Sequence, residues 1–465
     1  MKKREFLAMG GAVPLMLAGC GGNGSGSAPV RLVNASVGYP TPGLGFMDEA
    51  NQITTGVTYG NASAFSNIEA GSVHLTLTTT INGAETSATA AQLRTVNKDQ
   101  RYSLVAYGVL DQLRFALVAE STVTLDANTA SVNVLNTSVD IGPVDVYLSP
   151  STDLSVSTLI ASSIAATSTS PAQSAFATDI QPGSYFITVV GANSVAQGIS
   201  DVRFQTPVAV TLTALQILTV ILTPGAGGVL ANAILLTQGT TATTPTTSYE
   251  NTTARVRAVT AVPGASVGVA GVNPAGAAVT VLAASTTQQY SNYFVVTTGT
   301  PPVVTVAGNP VSVVMNDPAS TAVPPAEIAA SLDAGGDYTL MVYLDGSGAP
   351  KAKVIVDDNT APVTSSGLKF RLVNLASDNQ GLQLSMLVNK QTIASNITYA
   401  AASNYKEISV PQGTSSTVQV NSGAQAIISE TTPLILPNIF TEIVVSVDPS
   451  TGKVLSFFSS ASGAD

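Results

Sequence analysis

The stretch Arg31-Leu32-Val33-Asn34-Ala35 returns near the other end of the chain as Arg371-Leu372-Val373-Asn374-Leu375. Echoes stand between them at Asn133-Val134-Leu135-Asn136-Thr137 and Arg257-Ala258-Val259-Thr260-Ala261. Each copy alternates polar and apolar residues, the period of a half-buried strand. The spacing that follows repeats as well. The step from Arg31 to Tyr59 equals that from Arg371 to Tyr399, and Phe65 then corresponds to Tyr405. Chance matches do not keep register, so the chain reads as four copies of one β-domain.

A chain of 465 residues is too long for one core, and domains of roughly 100–150 residues fit four blocks. These run over 29–126, 127–247, 248–363 and 364–461. In the first, Val73 to Thr79 alternates as a strand, and Tyr102 to Gly108 with Leu113 to Glu120 forms a closing hairpin. Ile217 to Pro224, Tyr338 to Tyr343 and Phe440 to Val447 stand where Tyr102 to Gly108 does. The second block adds Ser/Ala/Thr-rich chain over Leu154 to Ala175, and the third adds Pro-bearing chain over Asn309 to Ser331. Extra loop length costs little stability, so drift alone would keep the two additions; loops on a rigid scaffold are also where recognition resides, so the additions are otherwise the candidate binding loops, with no ligand legible. Thr240 to Thr247 and Asp357 to Ser366 read as polar linkers. The uncharged run Val208 to Leu222 is shorter than the roughly 20 residues of a spanning helix and is rich in Thr and Val, so it reads as strands.

The first residues are an address. Lys2, Lys3 and Arg4 precede the apolar run Phe6 to Leu17, which reads as a signal peptide over 1–19. Leu17-Ala18-Gly19-Cys20 resembles the lipobox of bacterial lipoproteins, and Cys20 is the only cysteine. By that resemblance Cys20 becomes the lipidated N-terminus, bearing acyl chains such as palmitate, and 20–28 is a flexible Gly/Ser tether. Lys3-Arg4-Glu5-Phe6-Leu7 only faintly resembles a twin-arginine signal, so ordinary Sec export is expected. Gly21 stands where an Asp would signal inner-membrane retention, which makes the outer membrane the expected site.

Four such blocks behind a lipobox resemble the bacterial envelope family of domain of unknown function 4397. The likeness rests on Arg31 to Ala35, Asp145-Val146-Tyr147, Tyr59 and Pro182-Gly183-Ser184-Tyr185. The second and third blocks depart most, lacking the Arg or the Asn of the opening strand. The resemblance implies a β-sandwich and an extracytoplasmic place, and it implies no activity.

Residues able to do chemistry are few. Charged residues are 10% of the chain and the net charge is -10, which excludes a nucleic-acid partner. His74 is the only histidine and reads as a solvent-facing strand residue, so triads and His-based zinc sites lack their base. Asp357-Asp358-Asn359 offers oxygen ligands of the kind Ca²⁺ takes, but without the alternating loop pattern it reads as a solvated linker. Asp48-Glu49 is an exposed pair with no visible partner. Gly43-x-Gly45 and Gly225 to Gly228 are turns rather than phosphate loops. Tyr59 with Phe65, and Tyr399 with Tyr405, read as rings closing the ends of sandwiches.

The expectation is an all-β chain of four tandem antiparallel, immunoglobulin-like sandwiches behind a lipoprotein signal peptide. Its function is expected to be non-catalytic: an envelope lipoprotein that displays binding surfaces or serves as a spacer. It needs no cofactor and no metal. Its partners are the membrane, through Cys20, and an unidentified envelope protein or glycan. The alternatives are a carboxylate-based glycan hydrolase, marked by a buried acidic pair in a cleft, and an accessory factor of an envelope assembly or transport complex.

Overall fold

The computed structural model describes residues 26–460 except 111, 168, 195–200, 240–244, 263, 274–275, 286–290, 317–326, 363–366, 377–382, 410–414, 434–439 and 448–453. Leu17 to Cys20 lie outside the described residues.

In the opening strand Ser27–Asn34, Val30 and Leu32 point into a core while Arg31 and Val33 point the other way, and all four are buried. The strand is therefore covered on both faces, not half-buried as the alternation predicts. The same holds for Ala130–Asn136, Thr253–Thr260 and Gly367–Leu375. Alternation marks a wet outer face only when nothing packs on it. Here a neighbouring unit does.

Unit 1 stacks two sheets. One has the order Ser66–Glu69, Ser27–Asn34, Tyr102–Tyr107, Arg114–Ala119; the other has Asn51–Val57, Leu44–Asp48, Gly71–Ile81, Ala84–Ser87. Gln92–Val96 also pairs with Gly71–Ile81. Val30, Leu32, Phe46, Leu75, Leu77 and Leu104 fill the space between the sheets. Units 2, 3 and 4 repeat this arrangement, each with one core between two sheets. The chain is all-β, with one short 3-10 turn at Leu154–Val156 among the described residues. No helix among them is long and apolar enough to cross a membrane. Val208 to Leu222 holds the strand Val210–Leu212 and most of the strand Ile217–Pro224.

Among the described residues the sheets are antiparallel except at one recurring place and at one further pairing in unit 3. The opening strand of every unit runs parallel to the next-to-last, in one register: Arg31 opposite Ser103, Asn133 opposite Thr219, Arg257 opposite Thr339, Arg371 opposite Glu442. Unit 3 has a second parallel pairing, between Val313–Asn316 and Pro350–Asp357.

Three readings of the connecting chain are corrected. Leu154 to Ala175 is not wholly an addition, because Thr158–Ile164 pairs with Val144–Ser149 just as Asn51–Val57 pairs with Leu44–Asp48. Of the linker read over Thr240 to Thr247, 240–244 lie outside the described residues, and its end belongs to the strand Thr246–Tyr249, which adds to the sheet of unit 2 against Ala231–Thr237. Asp357 ends the strand Pro350–Asp357 and is buried, as is Asn359. The addition in unit 3 is partly strand as well, since Val313–Asn316 and Glu327–Ala329 widen its sheet.

Candidate functional site

The outer faces of the opening strands meet in pairs and make two seams. Between units 1 and 2, Val33, Ala35 and Val105 pack on Leu135, Ile221, Ile234 and Leu236. Between units 3 and 4, Val259, Ala261, Met341 and Tyr343 pack on Val373, Leu375 and Ala400. Tyr59 and Tyr399 belong to these seams rather than to the ends of sandwiches. Tyr59 shares a hydrogen bond with the Thr223 hydroxyl (2.7 Å), and Tyr399 donates to the Leu344 carbonyl (2.8 Å). The Tyr399 ring meets Tyr343 edge-on at 5.8 Å. Burial, with Tyr343 beside it, pushes the Tyr399 hydroxyl up to about 12.

Charge is set into the apolar seams. In the first, Arg31 pairs with Glu120 and donates to the Ser103 hydroxyl (3.1 Å) and, across the seam, to the Thr237 carbonyl (3.1 Å). Glu120 accepts from Ser103 (2.8 Å) and from the Gly239 amide of unit 2 (2.8 Å). The Arg31 guanidinium lies 4.6 Å from the centre of the Phe65 ring. Phe65 is thus not an end plug but a platform for a buried cation. Unit 2 carries a neutral version of the same group. Asn133 accepts from Thr219 (2.8 Å), which in turn accepts from Gln238 (2.7 Å), and the Asn133 amide nitrogen is buried without a partner.

The second seam is richer. Asp357 pairs with Arg371 of unit 4 and with Arg257 (3.4 Å), and accepts hydrogen bonds from the Thr339 hydroxyl (2.7 Å) and from Tyr293. Thr339 meanwhile accepts from Arg257 (2.7 Å) and Arg371 (3.3 Å), so its hydroxyl donates once and accepts twice. Arg371 also donates to the Val356 carbonyl (2.9 Å). Beside this group Asp337 takes a two-pronged pair from Arg255 (2.8 and 2.6 Å) and a hydrogen bond from Asn359 (2.6 Å). Arg255 and Arg257 both lie against the Tyr293 ring, and Arg371 lies 4.7 Å from the centre of Tyr405. Burial opposes ionisation of Asp357. Arg371 and Arg257, with the Tyr293 and Thr339 hydrogen bonds, outweigh it and hold the carboxyl below its usual range. Burial and the neighbouring Asp357 push the Tyr293 hydroxyl well up.

Three further features join the halves of the chain. The Gly227 amide donates to the Gly335 carbonyl (2.7 Å), and a side chain at 227 would stand 2.7 Å from the backbone nitrogen of Asp337. Gly225 to Gly228 is therefore a seat for unit 3, a role its reading as a simple turn does not reveal. Asn251 fixes the crossing from unit 2 to unit 3. It donates to the Arg203 and Ala231 carbonyls (2.7 and 2.9 Å) and accepts from Thr253 (2.9 and 2.7 Å). Asp140 of unit 2 accepts from the Ala361 amide ahead of unit 4.

Other predicted positions do not converge. His74 is half-exposed, and its Nδ1 shares a hydrogen bond with Glu49 (2.9 Å), giving Glu49 the partner not legible in sequence. Asp357 and Asn359 are not a solvated linker, and the Asp357 oxygens are occupied by two arginines and two hydroxyls, which leaves none aimed at a cation. No group of three or more metal-ligating residues occurs among the described residues. Sequence reasoning missed Arg255, Asp337, Thr339 and Tyr293. The parallel register is what brings Arg257 to Thr339 and Arg255 to Asp337, and a single sequence shows only that each side holds polar residues at alternate positions.

Residues 28–147 match the model of a family described as Domain of unknown function (DUF4397). The match takes in the whole first sandwich and runs through the opening strand of unit 2 to Tyr147, one of the residues that carry the resemblance. No curated protein matches the chain significantly.

Proposed function

We propose that this chain is a non-catalytic, lipid-anchored envelope protein whose four sandwiches form a stiff spacer that holds binding surfaces away from the membrane. One observation carries the reading: most of the buried charged side chains among the described residues lie in the seams, with Asp145 and Arg203 held inside unit 2. Glu120 faces Arg31, Asp337 faces Arg255, and Asp357 sits between Arg257 and Arg371. A general acid or base must reach a substrate proton, and these carboxylates are closed off from solvent. Buried ion pairs add little net stability against an apolar replacement, but they penalise wrong pairings heavily. If the second seam slipped, Arg371 would lose Asp357, and a slip of the first would take the Thr237 carbonyl from Arg31 and the Gly239 amide from Glu120. The charges thus fix which unit packs on which, and in what register.

Anchoring rests on Leu17, Ala18, Gly19 and Cys20, with the outer membrane as the proposed site. An unidentified envelope protein or glycan is the proposed partner. Two measurements test the whole. Cys20→Ser should abolish metabolic palmitate labelling and release the protein from the membrane fraction; unchanged labelling would defeat the anchor. Small-angle scattering of the full chain should give a single radius of gyration over a wide range of salt. A broad distribution, as from freely jointed units, would defeat the stiff spacer.

A further inference from the structure

The closing strand of each unit stands beside the next-to-last strand and offers its other edge outward. In units 2 and 3 that edge is covered by the chain itself. Thr246–Tyr249 pairs antiparallel with Ala231–Thr237, and the Thr237 amide donates to the Pro245 carbonyl. Val313–Asn316 pairs parallel with Pro350–Asp357, with Glu327–Ala329 beyond it. In unit 1 the corresponding strand, Arg114–Ala119, is last in its sheet. The Glu120 amide donates inward to the Arg101 carbonyl, so by alternation the amides and carbonyls of Phe115, Leu117 and Ala119 point outward. No backbone partner for them occurs among the described residues.

An open edge is a template for another strand, and proteins usually blunt it with Lys, Pro, a bulge or a cover. Arg114-Phe115-Ala116-Leu117-Val118-Ala119 has no Pro, no Lys and no bulge, and one charge at its first position. It is flanked by large apolar side chains in the open: Leu110 is 60% exposed ahead of it and Val123 is 44% exposed after it.

We propose that this edge pairs with the same edge of a second copy of the chain, antiparallel about a two-fold axis at Leu117. Only residues with outward amides can exchange hydrogen bonds, and the register that uses all three puts Leu117 opposite Leu117 and Phe115 opposite Ala119. Antiparallel pairing brings the start of one strand to the end of the other, so Leu110 of each copy comes beside the Val123 segment of its mate. The two exposed apolar groups then cover each other, twice. The two Arg114 side chains are carried to opposite ends, so like charges do not meet. The result is one continuous eight-stranded sheet across two molecules. In unit 4 the closing strand Val454–Ser460 is also last in its sheet; the pairing is assigned to unit 1, where Leu110 and Val123 are described and exposed.

The test is sedimentation velocity of the full chain carrying Cys20→Ser, so that no acyl chain contributes to association. A dimer in the tens-of-micromolar range or tighter is expected. Ala119→Pro removes an outward amide while leaving the ladder to Tyr102–Tyr107 whole, and Leu110→Asp with Val123→Asp charges the flanks. Each should weaken the dimer about tenfold or more without lowering the melting temperature. A chain that stays monomeric throughout this range overturns the proposal and leaves the edge to a strand of some other protein. A dimer that survives both variants overturns it as well.

Discussion

Arg31 and Arg371 make the same reach across two different seams. Arg31 of unit 1 donates to the Thr237 carbonyl on the closing strand of unit 2, and Arg371 of unit 4 donates to the Val356 carbonyl on the closing strand of unit 3. Thr237 and Val356 occupy equivalent places, one residue before Gln238 and Asp357. Units 1 and 4 thus supply the cation, and units 2 and 3 receive it. The two outer units, which match in spacing, each set an arginine against the closing strand of the neighbouring unit.

Arg31→Met should cost about 3–5 kcal/mol, since it strands the buried Glu120 carboxylate, and Arg371→Met should cost less than that, since Asp357 keeps Arg257. Urea unfolding of the full chain measures it. Glu49→Gln, at the exposed pair with His74, should leave the curve within error, as surface pairs contribute little. Equal losses at all three positions would mean that the seams have no special standing.

Gly227→Ala should loosen the junction of the two halves and leave all four cores intact. A methyl group there would meet the Asp337 backbone nitrogen at 2.7 Å, and overpacking of that kind costs about 1–3 kcal/mol. The expected sign is a splitting of thermal unfolding into two transitions, one for each pair of units. A single unshifted transition would show that the Gly227–Gly335 contact does not couple the halves.

Stability should be indifferent to chelators. The Asp357 oxygens already accept from Tyr293 and Thr339 and face Arg257 and Arg371, so no ligand position stays open for a cation. A melting temperature that falls by many degrees in the presence of a chelator would reopen Asp358 and its neighbours as ligands.

The repeat made the cores legible, and it concealed the seams. Val30 and Leu32, or Phe370 and Leu372, announce an inner face by alternation alone. Val33 and Val373 follow the polar Arg31 and Arg371 on the outer face, and nothing local says whether water or another sheet lies there. The polar residues Ser103, Thr219 and Thr339 likewise read as solvent-facing, although all three are buried. Only the parallel register sets them against Arg31, Asn133 and Arg257. Asp357 followed by Asp358, Asn359 and Pro362 has the composition of a loop, and composition carries no information about an arginine fourteen residues away.

The pH dependence of stability should contain two opposed contributions that mutation can separate. The Asp357 carboxyl is held below its usual value in the folded chain: burial resists ionisation, but Arg371 and Arg257 prevail. The unfolded chain protonates at the ordinary aspartate value of about 3.9. Between that value and the lower folded one the unfolded state binds more protons, so stability falls as pH falls. The Asp357 contribution is therefore complete above about pH 4 and is lost progressively below it. Asp140 behaves in the opposite sense. Burial raises its carboxyl above the usual value, and the Ala361 and Ser138 hydrogen bonds offset this only in part. Here the folded state takes up the proton first, so the contribution is present below about pH 4 and is lost as pH rises through the folded value. Asp140→Asn should accordingly stabilise the chain near neutrality, with the gain shrinking as the solution is acidified. Asp357→Asn should destabilise near neutrality, with the loss shrinking on acidification. Urea midpoints of the three proteins, followed from neutrality to well below pH 4, give both differences. If the two variants shift the curve by the same amount at every pH, neither carboxylate is linked to folding as described.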